Sequence, residues 1–231
     1  MKKVILFISV SILVISTSCT QKSGDAEAKD AAISGISEPL NDAKLAGELA
    51  VYGYTNNSAL ALAQAAEILC EMDIRNLEVT KSEEGAKNEN TGEKKGKVTL
   101  NVDTLLADAA IMASDDTTLL ALVDGVKKIA TAGKRGRTYG PAAVERTVSS
   151  NSSYTDYIKF DGSALAEIVI VGDGDTDLDI YVYDENDNLI VKDDDNLDIC
   201  YVSWYPRYTS TFKVKIINRG SVYNKYTLIT N

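Results

Sequence analysis

Histidine is absent from all 231 residues. Its absence removes the commonest general base and the commonest zinc ligand, and it excludes Ser-His-Asp and Cys-His catalysis. Bases are scarce as well: 24 Lys and Arg stand against 34 Asp and Glu, a formal charge of −10. A nucleic-acid partner needs clustered cations against its phosphates, so that class is excluded, as is electrostatic docking on anionic lipid headgroups. Cysteine occurs only at Cys19, Cys70 and Cys200. Cys70 and Cys200 are expected as buried thiols acting as small hydrophobes; the alternative in an oxidising compartment is a disulfide between them. What remains is enough to fold, with 45% apolar residues for a core and a length suited to one or two domains.

The chain opens with Lys2 and Lys3, an apolar run from Val4 to Ile15, and small residues before Cys19. That run is short of the roughly 20 residues of a transmembrane helix and has the length of a signal-peptide core. Ser16-Thr17-Ser18-Cys19 resembles a bacterial lipobox, with Ser16 where most lipoboxes place Leu. The resemblance implies a signal peptide over residues 1–19, acylation of Cys19, and a lipid-anchored protein of the bacterial cell envelope, at the outer membrane. The alternative is a secretory signal cleaved near Ser18. Residues 20–40, rich in Ser, Gly, Ala, Asp and Lys, are expected as a flexible tether.

Residues 41–135 have helical periodicity. Leu45, Leu49 and Tyr52 form one stripe, Leu62, Ala65, Leu69 and Met72 a second, and Leu106, Ala110 and Ala113 a third. Leu119, Leu122, Val123, Val126 and Ile129 make the fourth, capped by Asp115 or Asp116. The expectation is a small helical bundle, interrupted by a charged, mobile loop at 80–97. Lys134-Arg135-Gly136-Arg137 is a basic cluster best explained as a helix C-terminus and linker.

From residue 138 to 231 the pattern is β. Strands are expected at 142–148, 154–160, 164–171, 177–183, 188–192, 198–204, 210–218 and 222–229, with the turn spacing of an antiparallel sandwich. The fold class is therefore α+β, a helical domain followed by a β-sandwich.

The stretch Asp173 to Asp198 holds eleven carboxylates and one base, Lys192. Inside it Leu178, Ile180 and Val182 alternate with Asp179, Tyr181 and Tyr183 as in a half-buried strand. A two-residue turn at Glu185-Asn186 sets Val182 against Leu189 and Ile180 against Val191, which puts Leu178, Ile180, Val182, Leu189 and Val191 on the inner face. A register shifted by two pairs Asp179 with Asp194 and leaves Ile180 facing Asp193. In either register the acidic loops meet at one end of the hairpin. Carboxylates gathered there repel one another unless a cation joins them, and calcium prefers six to eight oxygen ligands. Asp173, Asp175, Asp177, Asp179, Asp193, Asp194 and Asp195 are the candidate calcium ligands; a solvated acidic rim is the alternative. The D-x-D-x-D spacing lacks the later Gly and Glu of an EF-hand. Tyr181, Tyr183, Tyr201, Tyr205 and Tyr208 are candidates for stacking on sugars, although Tyr is also favoured in strands.

Gly172 to Asp184, Cys200 to Pro206 and Asn224 to Leu228 together make residues 141–231 resemble the bacterial pre-peptidase C-terminal domain family. The resemblance implies a jelly-roll-like sandwich without catalytic activity, in which several members bind calcium or assist contact with a polymeric substrate. No peptidase precedes the module here. The function expected is a non-catalytic envelope lipoprotein with a binding or structural module, stabilised by calcium. The alternative is an accessory subunit that brings a polysaccharide or protein substrate to a surface hydrolase.

Overall fold

A computed structural model describes residues 36–131 and 140–231, all within one compact unit spanning Ile33–Asn231. Cys19, most of the tether and the Lys134–Arg137 cluster lie outside the described residues. Four helices come first: α1 (Glu38–Asn56), α2 (Ala59–Glu71), α3 (Val102–Ala113) and α4 (Thr117–Thr131). Two short strands, β1 (Arg75–Asn76) and β2 (Lys81–Glu84), lie between α2 and α3. Eight strands follow: β3 (Ala142–Val148), β4 (Ser152–Phe160), β5 (Ala166–Val171), β6 (Leu178–Tyr183), β7 (Leu189–Asp193), β8 (Ile199–Trp204), β9 (Ser210–Asn218) and β10 (Asn224–Thr230).

The strands form two five-stranded sheets, A in the order β1-β3-β10-β5-β8 and B in the order β2-β4-β9-β6-β7. The chain crosses between the sheets at almost every connection; the hairpin β6–β7 is the one consecutive pair sharing a sheet. Alternating residues explain the stacking. Ile168 and Ile170 of β5 face the sandwich core with Ile180, Val182, Val214 and Ile216 of sheet B, while Val169 and Val171 point the other way, into the helices. Both faces of β5 are covered, so all six of its residues are buried. Phe160, Trp204 and Phe212 close one end of the core edge to face, with centroids 4.8 to 6.0 Å apart.

The helices are a third layer on sheet A rather than a separate body, and they share a core with Val169, Val171 and Ile229. That differs from the division into a helical domain and a sandwich drawn from the sequence. The contact face of α1 also differs from the expected stripe. Leu45 and Tyr52 are exposed, and the buried face is Leu40, Ala43, Ala46, Gly47, Ala50 and Gly53. Small residues win because the helix comes very close to the sheet: a Cβ on Gly47 would stand 2.7 Å from Val171 Cγ2. Glu167 of β5 fixes the other end of the contact, accepting hydrogen bonds from the Ser37 amide (2.9 Å) at the start of α1 and from Tyr201 Oη (2.7 Å). The expected stripe of α2 is buried, and Asp116 caps α4 by accepting from the amides of Thr118 and Leu119. Cys70 is buried on the helix side of sheet A and Cys200 inside the sandwich, where its thiol donates to Leu178 O.

The charged stretch after β1 is bound into the fold, contrary to the mobile loop expected there. Lys81 to Glu84 pair antiparallel with Tyr157 to Tyr154 at the edge of sheet B. Residues 85–101 then form a strap across the loop end of the sandwich. The amides of Gly85, Thr91 and Val98 donate to the carbonyls of Ser153, Ser221 and Asp173 at 2.7, 2.9 and 3.1 Å. Polar composition misleads here because most of the strap is held by backbone and polar side-chain hydrogen bonds, with Asn88, Asn90 and Lys94 among them, and apolar packing enters only at Val98 and Leu100.

Among the described residues, no helix is long and apolar enough to cross a membrane.

Candidate functional site

The hairpin β6–β7 adopts the register in which Ile180 faces Asp193, Tyr181 faces Lys192 and Val182 faces Val191. This is the shifted register, not the one preferred from the sequence. The turn is the reason: it has three loop residues, not two, with Asp187 left-handed at φ 60° and the Asp184 amide donating to Asn188 O at 3.0 Å. Asp184 holds the turn by accepting from the amides of Asn186 and Asn188, both at 2.9 Å. A bulge next to Val182 then moves the strand by one more residue. Leu189 consequently faces outward, 49% exposed, and leaves the inner face to Leu178, Ile180, Val182 and a half-buried Val191.

The candidate calcium ligands are dispersed among separate partners. Asp173 and Asp175 converge on Lys94 of the strap, whose ammonium lies 2.5 Å from Asp173 Oδ2 and 2.7 Å from Asp175 Oδ2. The Lys95 amide (2.7 Å) and the Gly96 amide also donate to Asp175. Burial would raise the Asp175 pKa, but Lys94 and these amides hold it below the usual carboxylate range. Burial would likewise lower the Lys94 pKa, and its two carboxylates keep it raised. Gly96 is required here, since a Cβ would meet Asp173 O at 2.3 Å.

Asp179 pairs with Arg219, and Asp194 with Lys192. Asp193 accepts from the Tyr201 amide and Asp195 from the Leu197 amide, both at 2.9 Å. Of these seven, Asp173 and Asp177 each carry a buried Oδ1 without a hydrogen-bond partner, and burial together with Asp179 and Asp195 raises the Asp177 pKa. Among the described residues, no group of three or more Asp, Glu or Cys side chains is arranged to hold a metal ion. Lysine and arginine thus take oxygens of Asp173, Asp175, Asp179 and Asp194, and the seven are divided among separate partners.

Asp198 is the acid that sequence reasoning passed over. It accepts from the Gly174 amide at 2.5 Å and from Asn224 Nδ2 at 2.9 Å, and burial pushes its pKa up to about 7. Only its place as one of the eleven acids of this stretch marked it in the sequence.

The second candidate surface is the outer face of sheet B. Strand register places its side chains in two rows across the sheet. One runs Lys81, Tyr157, Lys213, Tyr183 over β2, β4, β9 and β6. The next runs Glu83, Thr155, Lys215, Tyr181, Lys192 and reaches β7. Lys81, Lys192 and Lys213 stand 5.2, 6.0 and 5.5 Å from the ring centroids of Tyr157, Tyr181 and Tyr183. Tyr181 is fixed at its hydroxyl, which donates to Asp194 Oδ2 at 3.3 Å and accepts from Arg219 Nη2 at 3.4 Å.

Of the candidate stacking tyrosines, Tyr181 and Tyr183 are on this face, whereas Tyr201 is packed beneath the helices. Tyr205 and Tyr208 are exposed in the loop after β8. Tyr157 belongs with Tyr181 and Tyr183 but was not singled out. Its signal is the register of β4 with β9, which a single sequence does not display.

A groove of about 960 Å³ runs between the strap and sheet A, lined in part by Lys97, Arg146, Tyr154, Tyr223 and Lys225. Its cations are largely answered from within: Arg146 pairs with the buried Asp156, and Glu84, Glu145 and Asp173 share the lining.

No family model and no curated protein matches the chain. Three solved structures are similar to parts of it. A periplasmic inhibitor of g-type lysozyme from Aeromonas hydrophila matches 43% of this chain and 91% of its own, at 7% identity and a TM-score of 0.31. A de novo designed double-stranded β-helix matches 38% of this chain and 97% of its own, at 7% identity and a TM-score of 0.26. The CBM22-1–GH10 modules of Clostridium thermocellum xylanase 10B match 38% of this chain and 24% of theirs, at 13% identity and a TM-score of 0.22. Likenesses this distant carry no argument about function.

Proposed function

We propose that the chain is a non-catalytic lipoprotein of the bacterial cell envelope, anchored through Cys19 at the outer membrane, whose jelly-roll-like sandwich is a binding module. Its working surface is the outer face of sheet B. One observation carries this reading: α1, backed by the other three helices, packs on the outer face of sheet A, while the opposite face of the sandwich is set with tyrosines and lysines in register. Tyr157, Tyr181 and Tyr183 stand in adjacent rows there beside lysine ammonium groups, an arrangement that offers a ligand both ring faces and charge. The alternation of strands between the two sheets supports the jelly-roll reading, and the lack of histidine supports the absence of catalysis. In this reading Lys94 supplies the counter-charge otherwise assigned to calcium.

The test is binding by the full-length protein in detergent, on a glycan array and on immobilised envelope proteins, beside Tyr181→Ala/Tyr183→Ala. The reading expects a ligand that the wild type holds and the variant loses. Equal binding by both, or none by either, refutes it. Glycan ligands would place the chain as an accessory subunit of a polysaccharide-degrading system, protein ligands as one serving a protease.

A further inference from the structure

Resting on that reading, we infer that the outer face of sheet B binds a polysaccharide chain bearing carboxylates, laid across the strands. Charge comes first. The strands place five lysines on this face, Lys81, Lys159, Lys192, Lys213 and Lys215, against two strand carboxylates, Glu83 and Asp179, while Asp187 and Asp194 reach Lys213 and Lys192 from the flanking loops. This occurs in a chain whose formal charge is −10, so the face is a local reversal rather than a sample of the composition. Asp179 is neutralised by Arg219, Glu83 by Lys81, Asp187 by Lys213 and Asp194 by Lys192. Lys159 and Lys215 make no ion pair among the described residues, which leaves their charge for a ligand. Lys213 stays protonated, its pKa raised by its hydrogen bond to Asp187.

Spacing comes second. Neighbouring strands lie about 4.8 Å apart, so the row Lys81-Tyr157-Lys213-Tyr183 from β2 to β6 offers alternating contacts over about 14 Å. That interval is close to the length of one pyranose, and it presents a ring, then an ammonium, then a ring. An acidic sugar polymer has the matching alternation: apolar C–H faces that pack on tyrosine, and carboxylates at regular intervals. A neutral glycan would leave the lysines without partners, and an acidic polypeptide would leave the tyrosines unused. The Tyr181 hydroxyl is already held by Asp194 and Arg219, so its ring is ordered before the ligand arrives.

The experiment uses the full-length protein in detergent and measures calorimetric affinity for polygalacturonate, with dextran, poly-glutamate and single-stranded DNA as comparison polymers. Polygalacturonate is expected to bind, with affinity falling as salt rises from 50 to 500 mM, as screening requires. Lys213→Glu/Lys215→Glu and Tyr157→Ala/Tyr183→Ala should each weaken it about tenfold or more. Tyr157→Phe/Tyr183→Phe keeps the rings and should bind as wild type, which separates a lost contact from a damaged fold. Lys97→Glu/Lys225→Glu, the same charge change in the groove under the strap, should have no effect. Dextran bound as tightly as polygalacturonate, and lost with the tyrosines, would overturn the anionic ligand while leaving the binding face in place. Poly-glutamate or DNA bound equally well would show charge alone at work and overturn the polysaccharide. Polygalacturonate bound without loss in either face variant would overturn both the ligand and the face.

Discussion

The Lys94 ammonium lies 2.7 Å from the Asp175 carboxylate, although 81 residues separate them in the chain. Asp173 shares the same ammonium, and both carboxylates are almost fully enclosed. A strap from the helical half of the chain thus neutralises the most acidic stretch of the sandwich. Lys94→Met should destabilise the protein by about 2 kcal/mol at pH 7, the lower side of the cost of breaking an enclosed pair, because Lys94 is partly exposed. The sign with pH follows from Asp175. Its folded pKa is depressed, so its stabilisation is present above the ordinary carboxyl range and lost as pH falls through the folded value. Thermal melts should show the deficit of Lys94→Met shrinking towards pH 3; a constant deficit would mean that Lys94 acts through packing.

If lysine fills the cation's role, calcium has little to add. Millimolar calcium should leave the melting temperature of the wild type unchanged. A rise that Asp177→Ala/Asp179→Ala removes would restore an ion to this end of the sandwich, with Asp177, whose buried oxygen has no partner, as its first ligand.

Asp198 gives the opposite pH dependence. Its folded pKa of about 7 is above the ordinary 3.8, so the folded state binds more protons between these values. Its contribution is complete below the ordinary value and is lost as pH rises towards 7. Asp198→Asn keeps one acceptor and loses another, so it should melt below wild type at pH 5. The difference should narrow by pH 7.5, where the wild type carries a buried charge. A gap independent of pH would contradict the assignment.

The close approach of α1 to sheet A is tested at Gly47. Alanine there gains about 1 kcal/mol of helix propensity, which nearly cancels a mild overpacking cost. Leucine is decisive, since its side chain must displace Val171. Gly47→Leu should lower stability by about 2 kcal/mol or more in denaturant melts, whereas the same substitution at Gly125, where a Cβ would meet nothing within 4 Å, should not.

Much of the sandwich was legible in the sequence. β3, β9 and the cores of the other long strands fall within a few residues of their expected places, because Phe212, Val214 and Ile216 alternate with Thr211, Lys213 and Lys215 as a half-buried strand must. β1 and β2 were invisible for the converse reason: Lys81 to Glu84 is wholly exposed and has no apolar period. The stripe of α1 misled because a helix buried through Ala and Gly shows its larger apolar residues to solvent. At the acidic end the carboxylates were plain, but their partners Lys94 and Arg219 come from the strap and the β9–β10 turn. The hairpin register turned on one left-handed residue, Asp187, which is rare enough in φ that composition does not announce it.

Ligand binding on the outer face of sheet B can be read by lysine acetylation of the full-length protein followed by mass spectrometry, with and without polygalacturonate. Bound polymer should protect Lys159, Lys213 and Lys215 and leave Lys97 and Lys225 as reactive as before. Protection of Lys97 and Lys225 with unchanged reactivity at Lys213 and Lys215 would rule out this face and move the site to the groove beneath the strap.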